Sequence, residues 1–114
     1  MVDKAVKDDF EKVRFDLMPI KPLFDVGDVL TYGAKKYGVR NWEKGMAWSR
    51  PYAAALRHLF AWWNGELYDR ETGYNHLAHA ICELMFLLEF DETHPEKDDR
   101  PDRDVTIEPL ERRV

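Results

Sequence analysis

The sequence predicts an all-α fold, a small bundle of about three to four helices, and three observations carry that prediction. Apolar residues recur at three- and four-residue steps in three separate stretches, near 22–37, 50–64 and 75–90. The intervals between them hold the glycines, prolines and carboxylates that end helices and make loops. The chain has 114 residues, 45% hydrophobic and 34% charged, which suits one soluble domain.

Residues 1–20 read as an N-terminal arm. Charges alternate through residue 13 with few apolar anchors, and Arg14–Pro19 forms a lead-in that Pro19 and Pro22 keep from being helical. A first helix is expected from Pro22, which suits a first-turn position, to Tyr37. Leu23, Val26, Val29, Leu30 and Ala34 keep its apolar spacing, and Gly38 ends it after Lys35 and Lys36. Gly38–Trp48 is too polar and glycine-punctuated for a helix and reads as a loop.

Ser49 is placed to cap a second helix over about Arg50–Asn64, with Pro51 in its first turn and a helix-favouring Ala53-Ala54-Ala55 run. Glu66–Asn75 reads as a second loop, carrying Glu66, Asp69 and Glu71. A third helix over about Asn75–Phe90 has the strongest apolar pattern: Leu77, Ala78, Ile81, Leu84, Met85 and Leu88. Residues 21–91 are thus expected to form one helical domain, the part of the chain in which a catalytic site would lie. Residues 92–114 are a charged, proline-bearing tail, expected to be disordered or wrapped around a partner.

Bulk properties exclude several classes. A net charge of −5 argues against a nucleic-acid polymer as partner, though a single nucleotide needs only a local basic pocket. No apolar run is long enough to span a membrane, so no membrane partner is expected. The charged N-terminus has no secretory h-region, and a cytoplasmic location is expected. The single cysteine, Cys82, lies in an apolar helical run and reads as a buried structural thiol. Four Trp, five Tyr and six Phe are much aromatic area for so short a chain to hide, which predicts self-association.

The chemistry concentrates on the third helix. His76, His79 and Glu83 stand at i, i+3 and i+7, on one face beside the leucine stripe. Imidazole nitrogens and carboxylate oxygens are both common ligands of divalent ions. If helices two and three form an antiparallel hairpin, Glu66, Asp69, His76 and His79 cluster at its turn, with His58 two turns away. Around the first loop, Lys35, Lys36 and Arg40 are suited to phosphate oxygens, Asn41 to a base edge and Trp42 to stacking. There is no Walker-type glycine loop and no Ser-His-Asp arrangement.

These residues carry a family resemblance. Leu30–Gly38, Arg40-Asn41-Trp42-Glu43-Lys44-Gly45, Leu56-Arg57-His58-Leu59, Ala61-Trp62-Trp63, Gly65-Glu66, Asp69 and His76-Leu77-Ala78-His79-Ala80 resemble the phage-associated dATP/dGTP diphosphohydrolase N-terminal domain. The resemblance spans about Arg14 to Asp91. It implies hydrolysis of a purine deoxynucleoside triphosphate to monophosphate and pyrophosphate, in the host cytoplasm if the gene is phage-borne. It also implies a helical fold comparable to MazG-like pyrophosphohydrolases, dimeric or tetrameric, using magnesium or manganese.

The MazG-type E-E-x-x-E pattern does not occur; His76-x-x-His79 stands where a carboxylate pair is expected, and imidazole widens the metal set to cobalt, nickel or zinc. The roles expected are Asp69, His76, His79 and Glu66 at the metal, Glu66 or Glu83 as general base, and Lys35, Lys36, Arg40, Asn41, Trp42 and His58 on the substrate. Two readings compete with this one. An HD-type phosphohydrolase needs a His-Asp doublet, which is absent. A non-enzymatic helical interaction module would keep the histidine–carboxylate cluster for structure alone.

Overall fold

A computed structural model describes residues 4–101. Among the described residues there are three helices, α1 (Ile20–Tyr37), α2 (Ser49–Trp63) and α3 (His76–Thr93), with three short 3-10 turns, one before α1, one between α1 and α2 and one after α3. Among the described residues there is no strand, only one isolated bridge between Tyr68 and Asn75. The helices are those expected, with ends shifted by a few residues. α1 begins two residues before Pro22, and α3 runs three residues past Phe90.

α3 packs against both of the other helices, most extensively against α2. On one side Ala78 and Cys82 meet Val26 and Val29 of α1, with Leu30, Tyr74 and Phe86 closing around them. Small side chains keep α2 and α3 well buried where they occur: Ala55 and Ala80 are each 2% exposed. Phe90 is fully buried at the far end. Cys82 is buried as expected, its Sγ 3.7 Å from the Val26 carbonyl. Burial pushes its thiol up to about 12, so it stays protonated and inert.

The apolar stripe of α3 behaves differently from its pattern. Ile81, Leu84, Met85 and Leu88 are all exposed, Leu88 at 77%. Burial falls instead on the small residues of α3 and on Phe90, because α1 and α2 contact other sectors of the helix. Phe60 and Trp63 of α2 are exposed as well.

Residues 92–101 do not form a free tail. After α3 the chain makes a 3-10 turn at Pro95–Lys97 and closes on the start of α2. The Trp48 indole donates to the His94 carbonyl (3.1 Å), the Trp48 amide to the Lys97 carbonyl (3.2 Å), and the Arg100 guanidinium lies over the Trp48 ring. Ser49 is the first helical residue rather than the cap. Asp99 does the capping, accepting from the Ser49 amide at 2.9 Å and from its hydroxyl. His94 fills the space above Gly45, where a Cβ would come within 2.7 Å of the ring, and its Nε2 lies 2.8 Å from the Glu43 carbonyl oxygen. The expected tail beyond residue 101 lies outside the described residues.

Because Asp99 accepts from both the Ser49 amide and the Ser49 hydroxyl, Asp99→Ala is expected to lower stability, as loss of a helix cap does. Urea denaturation of the variant beside the wild type measures this.

Candidate metal and nucleotide site

The loop between α2 and α3 is built to hold one carboxylate. Asp69 Oδ1 accepts from the amides of Glu71 (2.8 Å) and Thr72 (2.9 Å), an Asx turn that the acid makes with its own following backbone. The Asp69 amide donates to the Tyr74 carbonyl, and the His76 amide to the Leu67 carbonyl, closing the loop against the start of α3. Asn75 caps α3 by accepting from the Leu77 amide.

These contacts leave Asp69 Oδ2 facing two imidazoles. It lies 3.9 Å from His58 Nδ1 and 4.0 Å from His76 Nδ1, and the two nitrogens are 2.9 Å apart. One atom from each of His58, Asp69 and His76 fits within 4.8 Å of the others, a spacing compatible with a shared cation. Behind this cluster, His76 Nε2 lies 2.9 Å from Glu66 Oε1. A carboxylate there can only accept from Nε2, which orients the ring with Nδ1 toward His58 and Asp69. The donor chemistry fits a divalent ion of intermediate softness: two imidazole nitrogens and one carboxylate oxygen.

Charge states support the fit. Burial, reinforced by neighbouring His79 and His76, lowers His58 to about 4, so it is a neutral donor at physiological pH. Burial also lowers His79. Burial of Asp69 works against ionisation, but the Thr72 and Glu71 amides and the nearby imidazoles outweigh it and hold the carboxyl below its ordinary value.

The expected site residues divide into those the fold gathers and those it does not. His58, expected on the substrate, stands in the cluster itself. His79 lies beside it: its ring stacks on His58 with centroids 4.5 Å apart and planes within 6°, and its Nε2 is 2.7 Å from Thr72 Oγ1. Glu66 does not reach the cleft, standing behind His76 with Arg70 on its other oxygen.

Glu83 lines the same open cleft of about 1610 Å³, where burial pushes its carboxyl up to about 7 against the opposing pull of Arg57. Asn41 and Trp42 line it too, with Trp42 stacked on Phe86 at 5.4 Å. Lys36 and Arg40 line it but are paired, with Glu71 and Glu43 respectively, each at 2.9 Å. Lys35 does not line it.

Three contributors escaped the sequence reading. Thr72 was missed because a loop threonine gives no signal of reaching a helix seven residues on. Arg50 and Arg57 also line the cleft, and their seven-residue spacing on α2 was the signal available.

With this geometry in view, the comparisons with known proteins are decisive about kinship. The model of the family described as dATP/dGTP diphosphohydrolase, N-terminal, matches residues 2–100. The chain belongs to this family. Among curated proteins, a dATP/dGTP diphosphohydrolase of Salmonella phage PMBT28 is 37% identical over 93 residues, covering 80% of this chain and 32% of the relative. The chain therefore spans about a third of that relative's length. No solved structure matches it. The match covers every side chain of the cluster and of the cleft named above, so the family domain contains the whole candidate site.

Glu83 supplies a pH test specific to the cleft. Its folded value of about 7 lies above the ordinary 4.5, so the folded state binds more protons than the unfolded state between those limits. Its contribution is fully present below 4.5 and is lost as pH rises through 7. Glu83→Gln keeps the neutral shape, so its stability relative to wild type is expected to improve steadily from pH 4.5 to 7. Parallel urea denaturation across that range checks it, and a constant difference contradicts the assigned environment. His58 acts oppositely in wild type: lowered from 6.5 to about 4, it costs stability as pH falls through that window.

Proposed function

We propose that this domain hydrolyses a purine deoxynucleoside triphosphate, dGTP or dATP, to monophosphate and pyrophosphate with a divalent ion at His58, Asp69 and His76. The observation that carries the reading is the convergence of two imidazole nitrogens and a carboxylate oxygen at one end of an open cleft. The name of the phage relative supports the substrate and the bond cleaved. An ion held there supplies Lewis-acid polarisation of phosphate oxygens; magnesium or manganese is the first expectation, and the imidazoles also suit cobalt, nickel or zinc.

The chain's own residues do the rest. Glu66 orients His76 through the Nε2 contact, and Thr72 and His79 brace His58 from its other face. Glu83 is the proton acceptor: with a value near 7 it is partly ionised at neutral pH and receives the proton of the attacking water. The bond between the α and β phosphates breaks, and pyrophosphate leaves. Trp42, stacked on Phe86, and Asn41 offer a surface and an edge for the purine.

One observation favours the rival structural reading. The His58–His76 and His76–Glu66 contacts satisfy one another without any ion, as a purely structural cluster would. The exposed ridge of Leu84, Met85 and Leu88 supports self-association as a homodimer or homotetramer.

Incubation of the protein with dGTP or dATP and manganese separates the readings by product. Pyrophosphate is expected; triphosphate indicates an HD-like reaction, and intact nucleotide indicates the interaction module. His76→Ala is expected to abolish turnover, and Glu66→Gln to weaken manganese affinity by about 10- to 100-fold through loss of ring orientation. Turnover is expected to rise as pH increases through about 7 as Glu83 ionises, a step that Glu83→Gln removes together with most of kcat.

A further inference from the structure

A polyphosphate cannot lie in a cleft lined by Asp69 and Glu83 without opposing positive charge. Five basic side chains line that cleft: Lys36, Arg40, Lys44, Arg50 and Arg57. Two of them are already spent. Lys36 is paired with Glu71 and Arg40 with Glu43, each at 2.9 Å, so an incoming phosphate would have to displace a carboxylate. The Arg50 and Arg57 side chains, by contrast, have no hydrogen bond or ion pair among the described residues. Lys44 is also unpaired, but it sits on the 3-10 turn beyond the helix and offers a point charge without a fork.

The two arginines are placed as a pair. Seven residues apart, they share one face of α2, with Ala53 and Ala54 between them also lining the cleft. Methyl-sized side chains there leave a groove floor rather than a ridge. Arg57 adjoins His58 of the cation cluster in sequence, and its charge reaches both His58 and Glu83. At the helical rise, His58 to Arg50 spans about 12 Å along α2, and His76 to Phe86 about 15 Å along α3. The cleft thus runs from the cluster, past Arg57 and Glu83, toward Arg50 and the Trp42–Phe86 stack.

We propose that Arg50 and Arg57 are the phosphate-binding groups of this cleft, gripping a nucleotide's polyphosphate arm along α2, in place of Lys35, Lys36 and Arg40. The assignment rests on the nucleotide reading above and extends it to residues that reading does not use. Planar guanidinium forks suit phosphate oxygens bidentately, and free ones lose no existing partner on binding.

The test is calorimetric titration of inorganic tripolyphosphate into the full chain at fixed saturating manganese. Wild type, Arg50→Gln/Arg57→Gln and Lys35→Gln are compared. The double variant is expected to bind about tenfold or more weaker, with a shallower salt dependence, and Lys35→Gln to bind as wild type does. Both arginine side chains are exposed and unpaired, so the helical circular-dichroism signal is expected to be unchanged, and saturating manganese keeps the cation site filled in every variant. Equal affinity of wild type and the double variant overturns the assignment, as does a wild type that binds no tripolyphosphate.

dGTP turnover read in parallel keeps the two readings apart. Arginine-dependent binding without hydrolysis ends the hydrolase reading and leaves this one. Hydrolysis with unchanged KM and tripolyphosphate affinity in the double variant does the reverse.

Discussion

His76 is a polar side chain that the described structure buries almost completely, at 4% exposure, and a buried imidazole must find partners for both nitrogens. Glu66 meets one from behind; His58 and Asp69 meet the other from in front. Those three partners come from the last turns of α2 and the loop after it. Satisfying one ring at the first residue of α3 therefore fixes how the two longest-packed helices meet. The loop answers to the same demand: the His76 amide bonds to Leu67, and Asp69 is held by amides two and three residues ahead of it.

Burial then sets the electrostatics of the cleft, and it acts oppositely on acids and bases. It pulls the His58 and His79 imidazoles toward their neutral forms and pushes Glu83 toward its neutral form as well. Asp69 escapes because it has backbone amides to accept from. The result is a cleft with neutral donors and one firm carboxylate at one end, a carboxyl poised near neutrality in the middle, and unpaired guanidinium groups along one wall. Such a distribution suits a cation and a polyanion bound together better than either alone.

Outside the cleft, the fold of the single chain leaves apolar surface uncovered. Apart from His76 and Phe90, α3 buries alanines and a cysteine where it packs, and it presents leucines where it does not. Small residues let the helices approach closely, which shapes the cleft but removes the stripe of large residues from the core. The chain spans about a third of its phage relative, yet the side chains of the site lie within the segment that matches the family.

Periodicity, helix-ending glycines and prolines, and the His76/His79/Glu83 register were legible in the sequence, because helix geometry converts spacing directly into facing. The carboxylate-rich turn beside two histidines was legible for the same reason. Pairing was not: Asp99 capping Ser49, Glu71 taking Lys36 and Thr72 reaching His79 link residues whose proximity no local pattern encodes. Nor did the sequence distinguish Glu66 behind a ring from Asp69 in front of one, since both are acids on one loop. Tertiary structure decided which imidazole converges on which oxygen and which cations stay free, because both depend on the angle at which α2 returns as α3.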